Sequence, residues 1–531
     1  MVEARVRLLI ADRVHTLSPD SDPHTDAVLL RGDRIVRTGR AGELRAGLDA
    51  TQVLRLPGVI TPGLTDAHIH LIEWALSRTM ADLSAAKTPE AVADAVARHA
   101  AERPDDAWVH GTGWNPHLWG GAYPDRAVLD RVLPDRPVVL LSHDLHALWV
   151  NGVTLERAGI TAETPDPANG RIVRDDDGRA TGVLLEYATQ LVNRVAPAPS
   201  LDVVIDAVAD AQQALHRFGI TGVHAFPNVH ARNLPPLLVL QAMRARRRLD
   251  LRVLQHMPVE QLDDIIGIGL RSGFGDGLLR IGGIKMFLDG ALGSRTAWMR
   301  EPYEGTRDTG MRVLEPRLFE QLVTRAAAAG LASVVHAIGD AAVSLALDVL
   351  GRAERSMLAM PHRIEHVQCC PPERMADAGR HGIVCSVQPS HILSDWQAAD
   401  RHWGRRARHA YAFRSLAAGG ATLAFGSDAP VEPVDPRLAL YAAVTRQDCR
   451  GEPAGGWYPE QRIDIRSALA AFTRGPAIAA GMEAELGQLA PGMFGDLAVW
   501  DRDPLAVPAS ELLAMRCIAT VVGGQLVWRD A

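Results

Sequence analysis

The chain has 531 residues, 47% of them hydrophobic and 22% charged, with a formal net charge of -7. Such a length exceeds what one small core serves, so one large domain with a satellite, or two or three units, is expected. The charge is dispersed rather than gathered into runs, which leaves no nucleic-acid footprint, and no stretch approaches the roughly 20 uninterrupted apolar residues that a membrane-spanning helix needs.

The first residues form short strand-like pieces, such as Arg5 to Ala11, broken by arginine and aspartate, with no long apolar segment or cleavage pattern of an export signal. A cytoplasmic enzyme is the expectation. Further strand-like runs follow at Val6 to Ile10, Ala27 to Leu30, Arg34 to Thr38 and Val53 to Leu56, and others lie near the far end at Asp496 to Asp501 and Ile518 to Trp528. The two termini are therefore expected to meet in a small β-sandwich-like domain, 1–58 with 485–531, entered through the turn-rich Gly487 to Gly495.

Between Gly58 and Asp428 stand eight short apolar runs with polar ends, most of them separated by helical periodicity: Val59 to His70, Ile220 to Phe226, Leu251 to Met257, Ile281 to Leu288, Ala332 to Ile338, His362 to Gln368, Gly382 to Gln388 and Thr422 to Ser427. Eight is what a closed barrel requires, so an α/β fold, a (β/α)8 TIM barrel over 59–484, is predicted. Trp108 to Trp114 and Pro137 to His143 fall in a long interval after the first run. They are assigned to an insertion of about 73–200, expected to cap the barrel mouth.

His68 and His70 stand two residues apart at the end of a run, and the period of a strand points both imidazoles the same way. Alone, such a pair is more often polar surface or satisfied core. His336, His366 and Asp428 close the fifth, sixth and eighth runs, and Lys285 sits inside the fourth. If the barrel closes, side chains at the C-terminal strand ends converge on one mouth. Of 56 basic residues only Lys87 and Lys285 are lysine, and Lys87 lies in a polar stretch that begins an exposed helix. Lys285 in an apolar run is either an amine required to lose its proton, which arginine cannot do, or a lysine buried against a carboxylate. The residue alone leaves both open. The five cysteines lack paired spacing and read as reduced core residues.

The phrases Thr61-Pro62-Gly63-Leu64-Thr65-Asp66-Ala67-His68-Ile69-His70, Lys285-Met286-Phe287-Leu288-Asp289-Gly290, His336-Ala337-Ile338-Gly339-Asp340, Arg363-Ile364-Glu365-His366 and Gly426-Ser427-Asp428-Ala429-Pro430 together resemble the metal-site segments of the amidohydrolase superfamily. With Asp144-Leu145-His146-Ala147-Leu148-Trp149-Val150-Asn151 they resemble the branch containing N-substituted formamide deformylases. The resemblance implies two divalent ions, with zinc the first expectation, and an N6-carboxylated Lys285 bridging them. It places one ion on His68, His70, the carbamate and Asp428, and the other on the carbamate, His336 and His366. A hydroxide held between the ions would attack the carbonyl of an N-substituted formamide or related amide, with Asp428 carrying the proton to the leaving nitrogen.

Trp114, His146, Asp289 and His391 are candidate substrate contacts, and Glu365 a residue that orients a ligand or closes an ion pair. A cyclic-amide hydrolase and a one-metal deaminase of the same superfamily are the rival enzymes, and a non-catalytic metal-binding module the rival of another class. The resemblance also implies a small-molecule amide substrate and a homodimer, although no interface is legible in the sequence.

Overall fold

The computed structural model describes residues 6–19, 22–143, 147–168, 170–228 and 234–530. Two compact units divide the chain, one of Met1–His70, Gln212–Pro227 and Leu240–Ala531, the other of Leu71–Ala211 and Asn228–Val239.

The first unit contains eight parallel strands, each hydrogen-bonded to its neighbours in chain order: β1 (Leu64–Ile69), β2 (Ile220–Ala225), β3 (Arg252–Pro258), β4 (Leu279–Phe287), β5 (Ser333–Ala337), β6 (Arg363–His366), β7 (Val384–Val387) and β8 (Thr422–Phe425). Just beyond β8, Ala429 forms a parallel bridge to Ile69, and the Asp428 amide donates to the His68 carbonyl at 2.7 Å. The sheet thus returns to β1, as the predicted (β/α)8 barrel requires. All residues of β2, β6 and β7 are buried, which is why these strands read as continuous apolar runs instead of alternating ones. Amphipathic helices supply the outer layer. Pro316–Ala328, for example, buries Phe319, Val323, Ala326 and Ala327 along one stripe.

The run expected as one strand from Val59 to His70 is two. Val59–Pro62 pairs antiparallel with Leu497–Trp500, and only from Leu64 does the chain enter the barrel. Gly63 makes the change of partner: its amide donates to the Asp496 carbonyl at 2.9 Å, and a Cβ there would lie 2.3 Å from Thr221 Oγ1. The terminal sheet therefore extends beyond the expected boundary at residue 58. It has the order Arg13–Val14, Val59–Pro62, Leu497–Trp500, Cys517–Val522, Gln525–Arg529, and so joins the two ends of the chain. A second sheet of Arg34–Gly39, Ala27–Arg31, Val6–Ile10 and Val53–Arg55 shares its core, with Leu9, Val28 and Leu30 packing in one cluster with Ile60, Leu497 and Val521.

The second unit is built on a six-stranded sheet that includes Val109–Trp114 and Val138–Ser142, the two runs assigned to the insertion. Its helix Pro89–Glu102 starts just after Lys87, capped by Thr88, whose side chain accepts from the Ala91 amide. Cys369, Cys370, Cys385 and Cys517 are buried and Cys449 is exposed, all unpaired. Among the described residues no helix is long and apolar enough to cross a membrane.

Gly63→Ala is expected to destabilise the protein by about 1–3 kcal/mol through overpacking. Thr221→Ala in the same chain, which removes the nearest colliding atoms, should recover part of that loss in a double-mutant cycle read by urea unfolding.

Candidate metal centre

His366 ends its barrel strand, His70 and Asp428 lie just past theirs, His68 and His336 stand one residue before the end, and Lys285 lies within β4 two residues before its end. Asp428 Oδ1 lies 3.2 Å from His68 Nε2 and 3.7 Å from His70 Nε2. The His336 and His366 rings are 4.5 Å apart between centroids, and the His366 ring lies 5.0 Å from that of His68. Two of these residues sit in the left-handed backbone region, His366 at φ 72° and Asp428 at φ 60°. For a non-glycine residue that conformation costs on the order of 1–3 kcal/mol.

The four histidines share one arrangement. The Nδ1 of His68 faces Glu365 Oε2 at 2.7 Å, that of His70 the Pro227 carbonyl at 3.2 Å, and that of His366 Gln388 Oε1 at 2.9 Å, while His336 turns its Nε2 to the Gly290 carbonyl at 3.0 Å. Each acceptor draws the ring proton to the outer nitrogen. In His336 and His366 this leaves the other ring nitrogen with its lone pair, as a metal-binding imidazole requires, whereas His68 also meets Asp428 through its Nε2. With Asp428 these nitrogens form a donor set suited to a divalent cation such as zinc.

Burial pushes the His70 imidazole down to about 4 and that of His336 down to about 3, and it also holds His366 well below the usual range, so all three are neutral near pH 7. His68 is the exception: burial disfavours its charge, but Asp428 and Glu365 together raise it. Burial alone would raise the Asp428 carboxyl, yet the neighbouring His68, His366 and His391 hold it well below the ordinary carboxylate value. Glu365 is similarly held low against its burial by Arg363 and His68. The Arg363 guanidinium is itself buried and donates to Glu365 Oε2 at 2.9 Å, to Ser386 Oγ at 2.6 Å and to the Ala67 carbonyl at 2.7 Å.

Lys285 is buried, and among the described residues its Nζ has no carboxylate within ion-pair distance. It lies 4.6 Å from the centroid of the Phe226 ring and 4.5 Å from that of Phe287. Desolvation lowers its pKa to about 8. Of the two readings open in the sequence, a lysine in a direct ion pair and an amine able to lose its proton, the surroundings match the second.

The candidate substrate contacts are placed differently. Trp114 is fully buried in the core of the second unit, its indole donating to the Leu140 carbonyl at 3.0 Å, so it has no face to offer a substrate. Asp289 is likewise withdrawn, its carboxylate accepting from the backbone amides of Trp298, Ile338 and Gly339 and thereby holding the turn after β5. His146 lies outside the described residues. His391, in the turn Pro389–His391 after β7, is buried beside the site with its Nε2 3.6 Å from Asp428 Oδ2. Phe226, stacked on His68 at 3.8 Å, and Gln388 were not singled out by sequence. A phenylalanine or glutamine at a strand end has no signature of its own.

Residues 58–528 match the family described as Amidohydrolase family. Protein LONG AFTER FAR-RED 3 of Arabidopsis thaliana is 31% identical over 540 residues, covering 98% of this chain and 91% of that protein. N-substituted formamide deformylase of Arthrobacter pascens is 27% identical over 558 residues and 99% of each chain is covered. A crystal structure of an uncharacterized metal-dependent hydrolase from Pyrococcus horikoshii OT3 superposes with a TM-score of 0.79 at 27% identity, over 95% of this chain and 99% of that one.

The buried histidines make the metal-free protein acid-sensitive. The imidazoles of His70, His216, His224, His256, His336, His362 and His366 all lie below their unfolded value, so between about pH 6.5 and 4 the unfolded chain binds more protons than the folded one. His68, Asp66 at about 6 and Asp289 at about 7 are raised and act the opposite way, but are fewer. The urea midpoint of chelator-treated protein is expected to fall from pH 7 to pH 5. An unchanged or higher midpoint at pH 5 would contradict this charge balance.

Proposed function

The chain belongs to the amidohydrolase family, and on that premise we propose that it is a metal-dependent hydrolase cleaving a C–N amide-type bond, in an N-substituted formamide or a related amide. The observation that carries this reading is the convergence of His68, His70, His336 and His366 beside Asp428, each ring held through one nitrogen by an acceptor behind it.

His68, His70 and Asp428 would hold one ion, and His336 and His366 a second. Lys285 would join them: its neutral amine could add CO2, forming an N–C bond as a proton leaves to solvent, and the carbamate would offer its oxygens as further ligands. When bound, such ions act as Lewis acids that ionise water near neutral pH and polarise a carbonyl.

The protein's own groups do the rest. Asp428, ionised at neutral pH, takes the proton of the attacking water and returns it to the leaving nitrogen, so that the amine departs neutral. Glu365, fixed by Arg363, keeps the His68 ring in one orientation. A deaminase would call for a glutamate acid/base near the β5 histidine. His336 is followed instead by Ala337-Ile338-Gly339-Asp340, and the Asp340 carboxylate is occupied by the Arg300 amide at 2.8 Å. The same site would accept a cyclic amide, so the substrate panel needs both.

Plasma mass spectrometry of protein purified without chelator is expected to give near two metal ions per chain, falling together with activity in Lys285→Ala. Asp428→Asn should lower kcat/KM on N-substituted formamides, acyl amides or cyclic amides by roughly 10²–10⁴-fold. A single ion retained in Lys285→Ala would sink the carbamate bridge and bring the deaminase forward.

A further inference from the structure

The turn after β7 carries a histidine that the ligand set above does not use. His391 Nε2 has no hydrogen-bond partner among the described residues, although the side chain is only 9% exposed. It points at Asp428 Oδ2 from 3.6 Å. That separation exceeds the 2.7–3.2 Å of an N–H···O hydrogen bond by several tenths of an ångström. It is close to the edge of a tetrahedron around an ion whose ligand bonds are about 2.0–2.1 Å, which geometry puts at about 3.3–3.4 Å. The pairs on the other oxygen of the same carboxylate, His68 at 3.2 Å and His70 at 3.7 Å from Oδ1, bracket that edge. A ligand nitrogen of His366, one of His391 and a carboxylate oxygen of Asp428 all lie within 4.8 Å of one another, and all three residues are buried.

The support behind His391 repeats the one behind His366. Gln388, directly after β7, presents its Oε1 to His366 Nδ1 at 2.9 Å, and Gln368, two residues beyond β6, places its amide against His391 Nδ1 at 3.2 Å. In the second pair Gln368 Oε1 and His391 Nε2 are both left without partners. Turning the Gln368 amide over, which exchanges two atoms of nearly identical shape, satisfies its oxygen with the His391 Nδ1 proton and leaves a lone pair on Nε2. Two glutamines then hold two histidines in the same ligand-ready tautomer.

We propose that His391 is a ligand of the second cation site, beside His366 and on the Oδ2 side of Asp428. The inference rests on the metal-dependent reading above.

The test is a titration of the chelator-stripped full chain with Co2+, following visible absorption and counting bound metal after gel filtration. Wild type should take up two equivalents. His391→Ala should weaken the second by more than the ~10–100-fold that losing a supporting hydrogen bond produces, and Gln368→Ala should fall inside that smaller range. His391→Cys should develop a thiolate-to-cobalt charge-transfer band in the near ultraviolet only as the second equivalent binds, a signature that a merely structural histidine cannot yield. Wild-type-like binding of both equivalents in His391→Ala, without a new band in His391→Cys, would overturn the assignment while leaving the metal reading intact. A single equivalent in wild type, unaffected by either variant, would also overturn it. Wild type that binds no Co2+ would remove the metal reading itself.

Discussion

The site depends on the return of the barrel from β8 to β1. Gly426 passes so close to β1 that a Cβ there would lie 2.4 Å from the His68 nitrogen, and only a residue without a side chain permits the approach. Beyond it, Ser427 donates from its amide and its hydroxyl to the two oxygens of Asp66, at 3.0 and 2.6 Å, and the Asp428 amide donates to the His68 carbonyl. These bonds set the last strand end against the first. They also explain why Asp428 takes the left-handed conformation: its backbone serves β1 while its carboxylate turns into the mouth.

Beneath the ligands lies a second constraint, the burial of charge. Arg363 and Glu365, both buried, would be costly as an isolated pair, but Arg363 fills its donors with Glu365, Ser386, the Ala67 carbonyl and His224. Glu365 then spends its remaining capacity on His68. The chain of contacts from Arg363 through Glu365 to His68 makes one side of the site rigid. Among the described residues Lys285 has no comparable partner, its Nζ lying over the Phe226 and Phe287 rings, and its amine is correspondingly easier to neutralise. Arginine keeps its charge throughout the accessible pH range, whereas a buried lysine can give its charge up.

At 27–31% identity the two sequence relatives still match over almost the whole of this chain. A scaffold that holds strand-end ligands in register permits such divergence, because ligand geometry is fixed by the strands and selectivity by the loops beyond them. Asp289 shows how closely such a loop is tied to its strand: three backbone amides converge on one carboxylate that sequence alone suggests for a substrate.

Much was legible in one dimension. Strands buried on both faces leave unbroken apolar runs, so eight strands and the polar residues at their ends could be read directly, as could the anomaly of a lysine in an apolar run of an arginine-rich chain. The division at Gly63 was not, because a strand that changes partners keeps the same composition on both sides of the change. Nor could sequence separate Trp114 and Asp289, which are inward and satisfied, from His391, which is inward and unsatisfied. Residue type shows what a side chain can donate or accept. Whether that capacity is already spent depends on atoms tens of residues away, which only the folded chain brings together.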